Sequence, residues 1–159
     1  MNNLLCGKNT CSFDAVKAVS DILNSWDGMP AEIGFEAFPE NDGRLSLKLE
    51  LVPGAAVDYF YYDGSASSYL PIRIYSRRIC NDTAESQSVA NSLYMISDFL
   101  LSFSFPYQSG NVILRCAELI KLPFRSFSGK DGCDEFCAEF GIHYFIKNDG
   151  ADSVLRRDV

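Results

Sequence analysis

Between Leu45 and Asp82 the chain reads LSLKLELVPGAAVDYFYYDGSASSYLPIRIYSRRICND. This run constrains the fold more than any other, because its apolar side chains recur at a period of two, which suits a strand and not a helix. Leu45, Leu47, Leu49 and Leu51 alternate with Ser46, Lys48 and Glu50. Pro53-Gly54 then breaks the run. The aromatic segment Val57 to Tyr62 and the segment Tyr69 to Ile79 flank the small polar stretch Asp63 to Ser68, which has the composition of a hairpin turn. The expectation is three successive antiparallel strands leading straight into a helix.

That helix opens at Asp82-Thr83-Ala84-Glu85, a cap residue with an acidic residue three positions on. Val89, Leu93, Ile96, Leu100 and Phe103 mark its apolar stripe, and it must stop before Phe105-Pro106, since the residue ahead of a proline is pushed out of helical geometry. Upstream, Ser12 is placed to cap a first helix with Phe13, Val16, Val19, Leu23 and Trp26 on one side, closed by Gly28 and Pro30. Glu32 to Phe38 reads as an irregular or edge strand before a turn at Asn41-Asp42-Gly43. Downstream, Val112, Leu114 and Cys116 fall on one face of a further strand. Lys121 to Gly132, KLPFRSFSGKDG, is rich in loop formers, and its Phe124 and Phe127 either form a contact surface or, the favoured alternative, pack back on the body. Glu135 to Ile146 is apolar on both faces, as a central or interfacial strand would be. The expected fold is α+β, a mainly antiparallel sheet of four to five strands packed against two main helices. One domain spans residues 1–147, with a loose start at 1–11 and a flexible tail at 148–159.

Composition narrows the function. The 159 residues, 47% of them hydrophobic, suffice for one sizeable core. A formal charge of -7 argues against a grip on nucleic-acid backbone, which needs clustered cations. No apolar run approaches the length needed to span a bilayer, and MNNLLCGKNTC lacks the pattern of an export signal, which makes the cytosol the default location. Six cysteines without such a signal read as reduced, partly buried thiols. A disulfide, or a split zinc site from Cys6, Cys11, Cys133 and Cys137, are the alternatives. The lone histidine, His143, has no catalytic partner at a motif spacing, and no phosphate loop, nucleophile elbow or zinc-protease motif occurs. Asp63-Gly64-Ser65 lacks the repeated oxygens of a calcium loop. The expectation is a non-enzyme with no cofactor and no metal.

The string from Leu45 to Leu100 resembles the minor capsid and tail-terminator group of tailed phages and prophages, which is related to head-tail joining proteins. The likeness covers about residues 13–104: a leading helix, strands with a Pro-Gly break, the Tyr-x-Asp-Gly hairpin at Tyr61 to Gly64, a strand with Pro71, Tyr75 and Arg residues, and Asp82-Thr83 opening a helix. Gly132 to Tyr144 fits the final strand of that group, while the cysteine-rich ends depart from it. The resemblance implies a tail-terminator-like fold and a structural virion protein that closes into a ring capping the tail tube. Its partners would be copies of itself, tail-tube and head-connector proteins. DNA would pass without specific binding, no membrane would be involved, and the protein would lie in the host cytoplasm during assembly and afterwards in the virion. Tyr59, Tyr61, Tyr62, Asp63, Gly64 and Tyr69 of the hairpin, with Phe124 and Phe127, are then the expected contact residues. The tyrosines alternatively pair across strands and only stabilise them. A second functional reading is a small-ligand or adaptor domain whose groove is lined by the aromatic hairpin and the 121–132 segment.

Overall fold

A computed structural model describes residues 14–40, 42–52 and 56–147, with backbone alone for 56–60. Ser12, Phe13, Cys6, Cys11, Pro53-Gly54 and the 148–159 segment lie outside the described residues. The element order is helix α1 (residues 14–24), β1 (Ile33–Phe35), β2 (Ser46–Leu51), β3 (Ala56–Phe60), β4 (Ala66–Ile79), α2 (Thr83–Ser102), β5 (Tyr107–Ser109), β6 (Val112–Ser128) and β7 (Cys133–Ile146).

The sheet has seven strands and is mixed, which corrects the expectation of four to five mainly antiparallel ones. Its path runs β1-β2-β4-β7-β6-β5, with β3 also on β4. Three features account for the difference. First, β1 pairs parallel to β2, with Ile33 opposite Leu47 and Phe35 opposite Leu49. Second, β2 and β3 do not pair with each other. Both lie antiparallel along the same side of β4, β2 against Ile72 to Arg77 and β3 against Ala66 to Tyr69, so they form one interrupted strand where a meander was expected. Third, β6 runs on to Ser128, through most of the segment that reads as a loop.

The sheet buries one face under both helices. Leu47 and Leu49 of β2, Leu70, Ile72 and Ile74 of β4, and Phe140 and Ile142 of β7 meet Val19, Ile22 and Leu23 of α1 and Leu93, Ile96 and Leu100 of α2 in a single core. The alternation expected for β2 is thereby the core pattern. Trp26 lies past the end of α1, where its ring stacks on Phe99 of α2 at 4.5 Å. Between β4 and α2 the core contains one polar bridge. Ser92 donates to the Val89 carbonyl at 2.6 Å, which leaves Ser76 to donate to Ser92 Oγ at 2.7 Å.

Pairing of β6 with β7 shifts register four times, the first between Leu114 and Cys116. A bulge inserts an extra residue and transfers the following side chains to the other face. Leu114 is therefore buried while Cys116, expected on the same face, is exposed. Pro123, which has no N–H to contribute, falls in another of these shifts, as edge strands permit.

Helix α2 begins as its sequence dictates. The Asp82 carboxylate accepts from the Glu85 N–H at 2.8 Å, and the Glu85 carboxylate reaches back to the Asn81 N–H at 2.6 Å, one residue earlier than in the usual reciprocal cap. Replacing Asp82 by Ala should lower stability by about 1 kcal/mol in urea unfolding. An unchanged midpoint would show that the cap carries no weight here.

Candidate functional site

The face of the sheet turned away from the helices, and the edge at which it ends, carry the residues of interest. Residues paired across a sheet share a face. From β2 to β6 the rung Glu50, Arg73, Glu139, Lys121 alternates in sign across four strands. Glu139 sits at its centre, its side chain only 13% exposed, 3.6 Å from Arg73 Nε and 3.8 Å from Lys121 Nζ. One rung along, Lys48, Tyr75, Cys137 and Phe124 line up. Lys48 Nζ lies 4.4 Å from the centre of the Tyr75 ring and 5.0 Å from that of Phe38, which Arg77 also covers at 4.1 Å. Such cation-ring contacts hold long side chains flat on a polar sheet face.

Burial, a hydrogen bond with Glu50 and the nearby charges of Cys137 and Glu50 push the Tyr75 phenol up to about 12. Burial likewise pushes the Cys137 thiol up to about 11, which makes it a poor nucleophile and metal ligand at neutral pH. Cys80 and Cys133 are raised for the same first reason, and no cluster of His, Cys, Asp or Glu fit to hold a metal occurs among the described residues. His143 Nε2 lies 3.3 Å from Glu118 Oε1, and its ring packs on Tyr69 at 4.9 Å. The pair lies open on the sheet face rather than at the bottom of a cleft, with side chains 38% and 55% exposed.

The eight expected contact residues separate into two groups. Tyr61, Tyr62, Asp63 and Gly64 form the tip of the β3–β4 hairpin. Gly64 takes a positive φ of 86°, its N–H donates to the Tyr61 carbonyl at 3.1 Å, and the Asp63 carboxylate accepts from the Ser65 N–H at 3.0 Å and from the Ser65 hydroxyl. Tyr62 is fully exposed, whereas Tyr61 packs edge-on against Phe145 at 5.7 Å. The tip borders a recess of about 610 Å³ with Pro106, Ile113 and Arg115. Tyr59 of β3 is placed by its backbone opposite Ser67. Tyr69 lies further along β4, its ring over Gly141.

Phe124 and Phe127 belong to β6, not to a loop, and are half exposed at 43% and 54%. They neighbour Cys137 and Glu135, level with Tyr75 and Arg77 of β4. At about 3.3 Å per residue, some 30 Å of strand separates them from the hairpin tip. The hairpin and the 121–132 segment therefore do not line one groove.

The most distinctive element is one that sequence reasoning took for a loop. β5 covers the outer side of β6 only at Val112 to Leu114, so among the described residues the backbone edge of 115–128 pairs with no further strand. Ile120, Leu122, Phe124 and Phe127 are all exposed along it, with Leu122 at 63%. The density of Leu, Ile and Phe between Leu119 and Phe127 was the available signal, obscured by Pro123 and the flanking Ser and Gly. Among the described residues no helix is long and apolar enough to cross a membrane.

No family model and no curated protein matches the chain. Nineteen chains of known structure do. One of them, whose name describes no activity, aligns at 15% identity and a TM-score of 0.50 over 94% of this chain and 97% of its own. A likeness at that identity concerns the fold alone.

Two outcomes test this surface. A Cβ at Gly141 would come within 2.5 Å of the Tyr69 ring, so Gly141→Ala should destabilise by about 1–3 kcal/mol, and by much less in a Tyr69→Ala background, as read by urea unfolding of the double-mutant cycle. Because Tyr75 is raised from its ordinary 10 to about 12, the fold favours its neutral form; its contribution is complete below pH 10 and is lost as pH rises toward 12. Ultraviolet titration should show a tyrosine ionising near pH 12, and Tyr75→Phe should remove that step. A Tyr75→Phe titration with the late step intact would refute the assignment.

Proposed function

We propose that this chain is a structural virion-assembly protein of a tailed phage or prophage, a tail-terminator or head-tail joining component that closes into a ring on the tail tube. The observation that carries the reading is the edge of β6 over residues 115–128, which pairs with no further strand among the described residues and has Ile120, Leu122, Phe124 and Phe127 exposed along it. A long strand edge with apolar side chains is an association hazard for a monomer and a docking line for an assembly protein. The resemblance over residues 13–104 supports the same class.

The hairpin tip borders a recess with Arg115 at the near end of the β6 edge and lies some 30 Å along the strands from Phe124 and Phe127; it supplies a second contact region. Tyr62 stands fully exposed on a turn braced by Asp63 and Gly64, an amphipathic side chain on a rigid mount. Contact residues at the tip and, far along the strands, at Phe124 and Phe127 suit a component that must touch its own copies and a different partner at once. The chain's overall charge of -7 repels nucleic acid, in keeping with a ring through which DNA passes without being held.

The test is assembly. Purified protein, alone and mixed with the tail-tube protein encoded in the same genome, is expected to form closed rings visible by negative-stain electron microscopy, alone or seated on tube ends. A chain that remains monomeric at high concentration and leaves tube ends uncapped would remove this reading.

A further inference from the structure

The two edges of the sheet carry opposite charge. Along β6 and the turn after it, residues 115–132 expose Arg115, Lys121, Arg125 and Lys130 against the two carboxylates Glu118 and Asp131, with Lys121 and Arg125 also 3.8 Å and 3.9 Å from Glu139 and Asp134 of β7. At the other edge, β1 and the segment that follows it, residues 32–44, expose Glu32, Glu36, Glu40 and Asp42 against the single cation Arg44. In a chain with 21 acidic and 14 basic residues, a cationic edge runs against the overall balance.

The edges also stand at the same height. Ile33 pairs with Leu47, which pairs with Ser76, which pairs with Phe136, which pairs with Arg125. Gly34 leads in the same way through Lys48, Tyr75 and Cys137 to Phe124. The strand directions alternate from β2 to β6, and β1 follows β2, so β6 of one copy set beside β1 of another would run antiparallel to it.

We infer that the partner of the β6 edge is a second copy of this chain, received head to tail along its acidic 32–44 edge. The inference rests on the assembly reading above and specifies its subunit contact. A two-fold pairing of β6 with β6 would set cations against cations, whereas the head-to-tail contact sets them against carboxylates. A heterologous contact of this kind leaves one donor edge and one acceptor edge on every copy, and the arrangement closes into a ring when the rotation between copies permits. β1 is three residues long, so backbone pairing contributes little and the side chains of both edges make the contact.

The test is charge exchange in the full chain, read by sedimentation velocity, with circular dichroism as the control for folding. Lys121→Glu with Lys130→Glu reverses one edge, and Glu32→Lys with Glu40→Lys reverses the other. Each pair alone is expected to weaken self-association by about tenfold or more. The chain carrying all four changes restores opposite charges and is expected to regain most of the wild-type association. Self-association untouched by Glu32→Lys with Glu40→Lys, or no recovery in the four-fold variant, overturns the head-to-tail contact while leaving the assembly reading in place. A folded wild-type chain that stays monomeric overturns the contact as well, and the assembly reading falls with it only if tube ends also remain uncapped.

Discussion

The pairing of β4 with β7 is the constraint on which the rest of the molecule depends. It runs without a register shift from Ala66 opposite Ile146 to Ile79 opposite Cys133. Because side chains alternate strictly between faces, an unbroken register commits Leu70, Ile72, Ile74, Phe140 and Ile142 to one side together, and the two helices have a single apolar surface to cover. A slip of β7 by one residue would turn Phe140 and Ile142 to the opposite face while Leu70, Ile72 and Ile74 stayed under the helices. The same register assembles the other face, where Arg73 meets Glu139 and Tyr69 reaches over Gly141. Core and open face are consequences of one ladder.

Strands added to that ladder are held less strictly, and the difference bears on function. β6 follows β7 only by shifting register four times, and it has no strand on its outer side beyond Leu114 among the described residues. Bulges and charges are the devices by which monomeric proteins discourage pairing at an edge. This edge has both, yet it also exposes Ile120, Leu122, Phe124 and Phe127. That combination is better matched to a selective contact than to a protected margin: apolar groups favour association, and charge decides which surface is accepted.

Much of this was legible in advance. β2 announces itself through its period-two pattern, β4 through its place after the Asp63 to Ser68 turn, β7 through a run that is apolar on both faces, and α2 through its cap and stripe, because in each case the residues that define the element are neighbours in the chain. The hairpin at Asp63-Gly64 is equally local. What was misread depends on distant partners. Lys121 to Ser128 has a loop-like composition, and it becomes a strand only because β7 lies alongside to accept its backbone hydrogen bonds, with bulges accommodating Pro123. Cys116 reads as sharing a face with Val112 and Leu114 because no local signal marks the bulge at Arg115 that turns it outward.

What the chain's own order of residues decided is therefore which stretches are strands or helices and which side of each is apolar: Leu47 and Leu49, Ile72 and Ile74, Leu93 and Ile96 are core wherever their elements are placed. Only the tertiary structure decided that β1 runs parallel to β2, that β2 and β3 lie end to end along β4, and that a cationic and an acidic edge stand level on opposite sides of the sheet. The physical reason is range. Periodicity and capping are properties of a few consecutive residues, while strand order and edge exposure are set by which distant segments bury each other, a choice that no short window of sequence contains.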